Sequence, residues 1–196
     1  MTDERTDLWV FGYGSLMWRP GFPHAERRHA RLNGYHRSLC VYSHVHRGTP
    51  ERPGLVLGLD RGGSCHGVAF RVSAAEAAAT LHYLREREQV TAVYRERRLA
   101  VHLEGGRVVV AVAYVVDRHH PQYAGRLPDS DLLRHVRQGA GVSGPNPDYV
   151  RSTHEHLLQM GVTDPVLKRL ADALNDPGSS TRDSPLGVAL CGDDPR

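Results

Sequence analysis

The chain has 196 residues, 40% of them hydrophobic, and a formal net charge of +3, which is enough for one domain with a sizeable core. Lys and Arg alternate with Asp and Glu, so no basic stripe marks a nucleic-acid partner, and no run of about 18 apolar residues marks a membrane span. The opening Met1-Thr2-Asp3-Glu4-Arg5 is polar, unlike a secretory leader, and three cysteines (Cys40, Cys65 and Cys191) without a Cys-x-x-Cys pair fit reduced thiols of the cytoplasm.

The apolar run Leu8-Trp9-Val10-Phe11 predicts a buried strand over 8–13 that delivers the loop Tyr13-Gly14-Ser15-Leu16. Such a loop exposes backbone N–H groups and suits an anion or an oxyanion; the alternative is a turn whose glycines only permit positive φ. It is not a nucleotide loop. Met17 stands where a dinucleotide fingerprint needs a small residue, Pro20 disfavours helix at Arg19, and no Gly-Lys-Ser/Thr occurs. Residues 29–43 read as two short strands broken at Asn33-Gly34. Residues 55–59 and 65–72 read as a strand pair with Asp60-Arg61-Gly62-Gly63 as its hairpin turn. Residues 91–103 and 107–116 form another pair across Glu104-Gly105-Gly106. Strands joined by hairpins make a mostly antiparallel sheet, which can curl into a barrel.

Between the strand pairs, Ser73-Ala74-Ala75-Glu76 is a capping box that starts a helix at Ser73 and carries it to Glu88 or Gln89. At roughly 100° per residue, Ala77, Leu81, Leu84 and Glu88 fall within about 40° of one another, and Glu86 points the opposite way. Two neighbouring glutamates therefore differ: Glu86 faces solvent and Glu88 prolongs the apolar stripe. A carboxylate there is costly unless paired or used, and desolvation would raise its pKa towards that of a general base. The alternative is an ion pair with Arg85 or Arg95.

Three helices follow, over 130–138, from Asn146-Pro147 (a cap and a first-turn proline) to Gly161, and from Asp164-Pro165 to Leu174. The last carries Val166, Leu167, Leu170 and Leu174 on one face. Residues 176–196, rich in Asp, Pro, Gly, Ser and Thr, are expected to form a disordered tail; residues 1–175 form the single folded domain.

Thirteen histidines raise the question of a metal. His154 and His156 cannot share a helix face; His44 and His46 can share a strand face, but no third ligand follows at a known spacing, so no metal is expected. Ser15 lacks the Gly-x-Ser-x-Gly elbow of a hydrolase nucleophile. Arg47, in His46-Arg47-Gly48-Thr49, suits bidentate carboxylate capture, or is a surface arginine. Tyr123 and Tyr149 sit in aromatic-bearing loops that either line a pocket or pack.

These motifs resemble, in order, those of the ChaC-type γ-glutamylcyclotransferases. The matching segments are Phe11-Gly12-Tyr13-Gly14-Ser15-Leu16-Met17-Trp18, Gly34-Tyr35-His36-Arg37-Ser38, the stretch from His46-Arg47-Gly48-Thr49 to Pro53-Gly54, Gly67-Val68-Ala69-Phe70, Tyr83-Leu84-Arg85-Glu86-Arg87-Glu88, Gln122-Tyr123-Ala124-Gly125 and Gly144-Pro145-Asn146. The resemblance implies an α+β fold, a mostly antiparallel β-barrel with flanking helices. It implies cleavage of glutathione to 5-oxoproline and cysteinylglycine without metal or cofactor. Its catalytic glutamate maps onto Glu88, its substrate loop onto Tyr13, Gly14, Ser15 and Leu16, and its arginine onto Arg47; Tyr123 joins the expected substrate contacts. Two alternatives are another γ-glutamyl donor and a binding module that regulates a partner.

Overall fold

A computed structural model describes residues 6–88 and 91–176. Five strands close a barrel in the order β1-β3-β2-β4-β5, where β1 is Leu8–Gly12, β2 Glu26–Ser43, β3 Gly54–Val72, β4 Tyr94–Leu103 and β5 Val108–Val116. Neighbours run antiparallel except β1 and β5, which pair in parallel through Trp9 with Ala111 and Val10 with Val112. The core is the apolar set that the strands turn inward, with Val10, Phe11, Leu59, Val68, Phe70, Val101 and Ala111 sealed from water. No helix among the described residues is long and apolar enough to cross a membrane.

The expected breaks inside 29–43 and 55–72 are not breaks. β2 and β3 are each one long strand, paired from Glu26 opposite Arg71 to Ser43 opposite Gly54. Between the pairs Asn33–Ser64 and Tyr35–Arg61, Gly34 alone faces Gly62 and Gly63. All three glycines have positive φ, at 82°, 103° and 67°. The glycines expected to form turns here instead serve a β-bulge within a continuous ladder, not a turn that separates two strands. By contrast Gly105 and Gly106 do close the hairpin between β4 and β5, where Leu103 N–H bonds the Arg107 carbonyl at 2.8 Å.

Helix α1 (Ala77–Glu88) follows β3; α2 (Asp129–Gln138), α3 (Asn146–Gln159) and α4 (Pro165–Asn175) follow β5. The turn before α1 is tied by Asp7, whose carboxylate accepts from Ala74 N–H at 3.1 Å and binds Arg71 at 2.7 Å. Regular helix begins at Ala77, after the predicted capping box. Asp164 caps α4 as expected, accepting from the N–H groups of Val166 and Leu167 at 3.1 Å each. Asn146 does not cap α3. Its fully buried amide bonds both backbone groups of Leu55, accepting at 2.7 Å and donating at 2.8 Å, and so fastens α3 to the edge of β3. A short antiparallel pair, β6 (Ala140–Gly141) and β7 (Gly144–Pro145), precedes α3. The expected tail, apart from Asp176, lies outside the described residues with Cys191, as does Gln89 at the expected helix end.

Candidate active site

Tyr13, Gly14, Ser15, Leu16, Arg47 and Glu88 line one cavity of about 620 Å³. That volume lies within the roughly 300–1,000 Å³ typical of small-molecule sites. β1 delivers the loop, which winds into a 3₁₀ turn over Ser15–Met17 with Met17 N–H on the Gly14 carbonyl at 2.8 Å. Among the described residues no protein group accepts from the N–H groups of Gly14, Ser15 or Leu16. All three residues line the cavity. Trp18, next along, stacks on His156 of α3 with ring centroids 4.6 Å apart, which ties the loop to that helix.

Glu88 reaches the cavity from the last residue of α1, at the end of the stripe that buries Leu84. Burial pushes its carboxyl above the ordinary carboxylate range, and the Arg87 guanidinium, 3.2 Å away, offsets only part of this. The two arginines weighed as partners are engaged elsewhere: Arg85 grips Glu96 at 2.8 and 2.9 Å, and Arg95 holds Asp117. Glu86 points to solvent beside His82, 69% exposed against 18% for the Glu88 side chain.

Four tyrosines share the cavity with Glu88. Tyr94 donates to the Leu57 carbonyl at 2.7 Å, and Leu57 N–H donates to the Tyr149 hydroxyl at 3.2 Å, so two cavity walls clamp one residue of β3. Tyr114 donates to Glu96 at 3.2 Å. Burial raises the phenols of Tyr13, Tyr94, Tyr114 and Tyr149, and they stay neutral donors over the physiological range. Arg47 lies 5.3 Å above the Tyr149 ring and donates to the Pro145 carbonyl at 3.2 Å. His46 beside it meets Ser143 at 3.0 Å. The loop bearing Arg47 fits because its neighbours lack side chains: a Cβ on Gly54 or Gly139 would stand 2.1 or 2.5 Å from the Arg47 carbonyl oxygen.

Tyr123 is not brought to this cavity. Its hydroxyl donates to Asp60 at 2.8 Å, in a second cleft of about 440 Å³ lined also by Arg37, Arg118 and Asp164. A backbone bridge to Val41 and the bond from Ala124 N–H to the Cys40 carbonyl fix that segment on β2. Sequence reasoning missed Arg87, Tyr94 and Tyr114. Arg87 was the neighbour of the glutamate singled out, yet its own reach, to Ser15 Oγ at 2.9 Å and the Arg19 carbonyl at 2.8 Å, crosses to a distant loop. Tyr94 and Tyr114 were legible only as alternating strand positions. Among the described residues no three His, Cys, Asp or Glu side chains gather as metal ligands.

This barrel, with a helix-borne carboxylate over a glycine loop, has the fold of the γ-glutamylcyclotransferases. A yeast γ-glutamyl cyclotransferase specific to glutathione superposes with a TM-score of 0.78 at 24% identity, over 87% of this chain and 96% of that one. The family model described as ChaC-like protein matches residues 8–176, and the chain belongs to that family. The glutathione-specific γ-glutamylcyclotransferase of Escherichia coli K12 is 33% identical over 169 residues, 86% of this chain and 70% of that one. The human glutathione-specific γ-glutamylcyclotransferase 1 is 31% identical over 173 residues, 85% of this chain and 78% of that one.

Proposed function

We propose that this chain is a γ-glutamylcyclotransferase that cleaves glutathione to 5-oxoproline and cysteinylglycine, with Glu88 as its general base and acid. The observation that carries the reading is the partly desolvated Glu88 carboxylate in the same cavity as the donor loop 13–16. The names of the relatives support the choice of substrate.

In glutathione the α-amine can reach its own δ-carbonyl. The new bond joins that nitrogen to Cδ and closes a five-membered lactam; the bond that breaks joins Cδ to the cysteinyl nitrogen. The substrate supplies its own nucleophile, so the protein has two tasks. It folds the γ-glutamyl group into attacking geometry, for which intramolecular positioning is worth about 7–11 kcal/mol. It also takes a proton from the α-ammonium and returns one to the departing amine. Glu88, with its pKa raised by burial, is matched to both transfers. The N–H groups of Gly14, Ser15 and Leu16 hold an anionic oxygen of the γ-glutamyl group, and Arg47 offers a guanidinium for a carboxylate.

The test is to incubate the protein with reduced glutathione and follow 5-oxoproline by mass spectrometry in ¹⁸O-water. Unlabelled 5-oxoproline is expected, and glutathione N-acetylated on the γ-glutamyl amine should be inert, because its nucleophile is blocked. Free glutamate or label in the first product would mean attack by water and would overturn the cyclotransfer. Turnover of other γ-glutamyl amines without glutathione would overturn the substrate.

A further inference from the structure

The Gly34-Tyr35-His36-Arg37-Ser38 segment contains an arginine that the cavity does not use directly. The Arg37 side chain is 5% exposed. Its Nε donates to the Tyr13 carbonyl at 2.5 Å and one terminal nitrogen to the His66 carbonyl at 2.6 Å. The other terminal nitrogen lies 3.7 Å from the Asp164 carboxylate at the start of α4. Arg37 and Asp164 line the second cleft, while Tyr13 and Gly14 line the cavity of Glu88. The peptide between Tyr13 and Gly14 thus stands between the two.

No described peptide bond is cis, so the carbonyl and N–H of that peptide point in opposite directions. A carbonyl drawn to Arg37 turns the Gly14 N–H away from it. Glycine has no Cβ to restrain the adjoining torsions, so the loop needs an outside anchor to keep this plane from rotating. A guanidinium supplies one, because its planar fork meets two carbonyls and a carboxylate at once; a lysine ammonium has no such geometry. We infer that Arg37 is a positioning residue for the reaction: it fixes the Tyr13–Gly14 peptide so that the Gly14 N–H serves the substrate. The inference rests on the reading of loop 13–16 as the substrate's anion site.

Arg37→Met should lower kcat by roughly 10²-fold, the scale of losing one preorganised donor, and leave the acid limb of the pH profile in place, since Glu88 keeps its surroundings. Arg37→Lys should recover only part of that loss. The direct readout is the Gly14 amide signal in a ¹⁵N-labelled Glu88→Gln protein titrated with reduced glutathione. With Arg37 intact, the Gly14 proton is expected to shift downfield on binding; with Arg37→Met added, the shift should vanish. An equal shift in both proteins overturns the role of Arg37. No shift even with Arg37 intact overturns the reading of the loop itself, and the inference falls with it. If Arg37→Met loses its folded dispersion, Arg37→Lys carries the same titration, and a full shift there refutes the role.

Discussion

Glu88 and Asp60 are both carboxylates withdrawn from water, each beside an arginine and within reach of tyrosines, yet their acidities move in opposite directions. Burial raises both. At Asp60 it is outweighed by the Arg118 guanidinium at 2.6 Å, the Tyr123 hydroxyl at 2.8 Å and the Arg61 N–H at 2.8 Å, and the carboxyl is held below its usual range. At Glu88, among the described residues, only Arg87 opposes burial, while Tyr94 and Tyr114 spend their hydroxyl protons on Leu57 and Glu96. The difference is one of unsatisfied acceptor capacity. A saturated carboxylate fastens structure, and one kept short of donors is ready to exchange a proton.

The sharpest break of this comparison is a neutral amide at each position. Glu88→Gln should cut 5-oxoproline formation by roughly 10²–10⁴-fold, the range for a lost general base, with the fold intact by circular dichroism. Arg87→Met comes next. Removing the cation lets the Glu88 carboxyl rise further, so the acid limb of kcat/KM should move to higher pH, at about tenfold in rate per unit moved for pH values below the limb.

Asp60→Asn should leave turnover within a few-fold but destabilise the protein. Losing a hydrogen bond to a charged group costs about 1.5–3 kcal/mol, or a Tm lower by roughly 3–12 °C at about 2–4 °C per kcal/mol for a chain of this size. Calorimetry across pH sharpens the contrast, because the two linkages have opposite sign. A lowered carboxyl stabilises the fold above its unfolded pKa, so the deficit of Asp60→Asn should shrink as pH falls through the folded value. A raised carboxyl favours the fold below the unfolded pKa and loses that contribution as pH climbs, so Glu88→Gln should gain in Tm on the parent from acid to neutral pH. Parallel trends would refute the contrast. The smallest effect belongs to Glu86→Gln, which should stay within roughly twofold in kcat/KM.

The helical wheel separated Glu86 from Glu88 correctly because α1 obeys one period and packs one face. The strands were legible as strands, yet glycine punctuation was ambiguous: Gly62-Gly63 bends a continuous β3, and Gly105-Gly106 ends a strand, with positive φ in both places. What decides between them is the partner across the ladder, and Gly34 lies far away in sequence. Asn146 likewise looked like a cap, because its use by Leu55 is a contact across the fold. Tyr123 does line a cleft, but the second one, because its bridge to Val41 and its bond to Asp60 seat it there. Apart from the capping box, which precedes regular helix at Ala77, the pattern read within an element was sound, and the other errors arose where a distant segment assigned a residue its task.

The glycines around Arg47 carry one more consequence. Gly54 and Gly139 admit the Arg47 carbonyl at distances no methyl group could share, so that stretch of backbone is seated by excluded volume, in the manner of a dovetail joint. Ionic strength does not loosen such a joint, since salt screens charges and leaves van der Waals contact untouched. The guanidinium's attraction for a carboxylate should fade in concentrated salt while its place over Tyr149 persists. A single added methyl, as in Gly139→Ala, should do the reverse and displace the cation while its charge is intact.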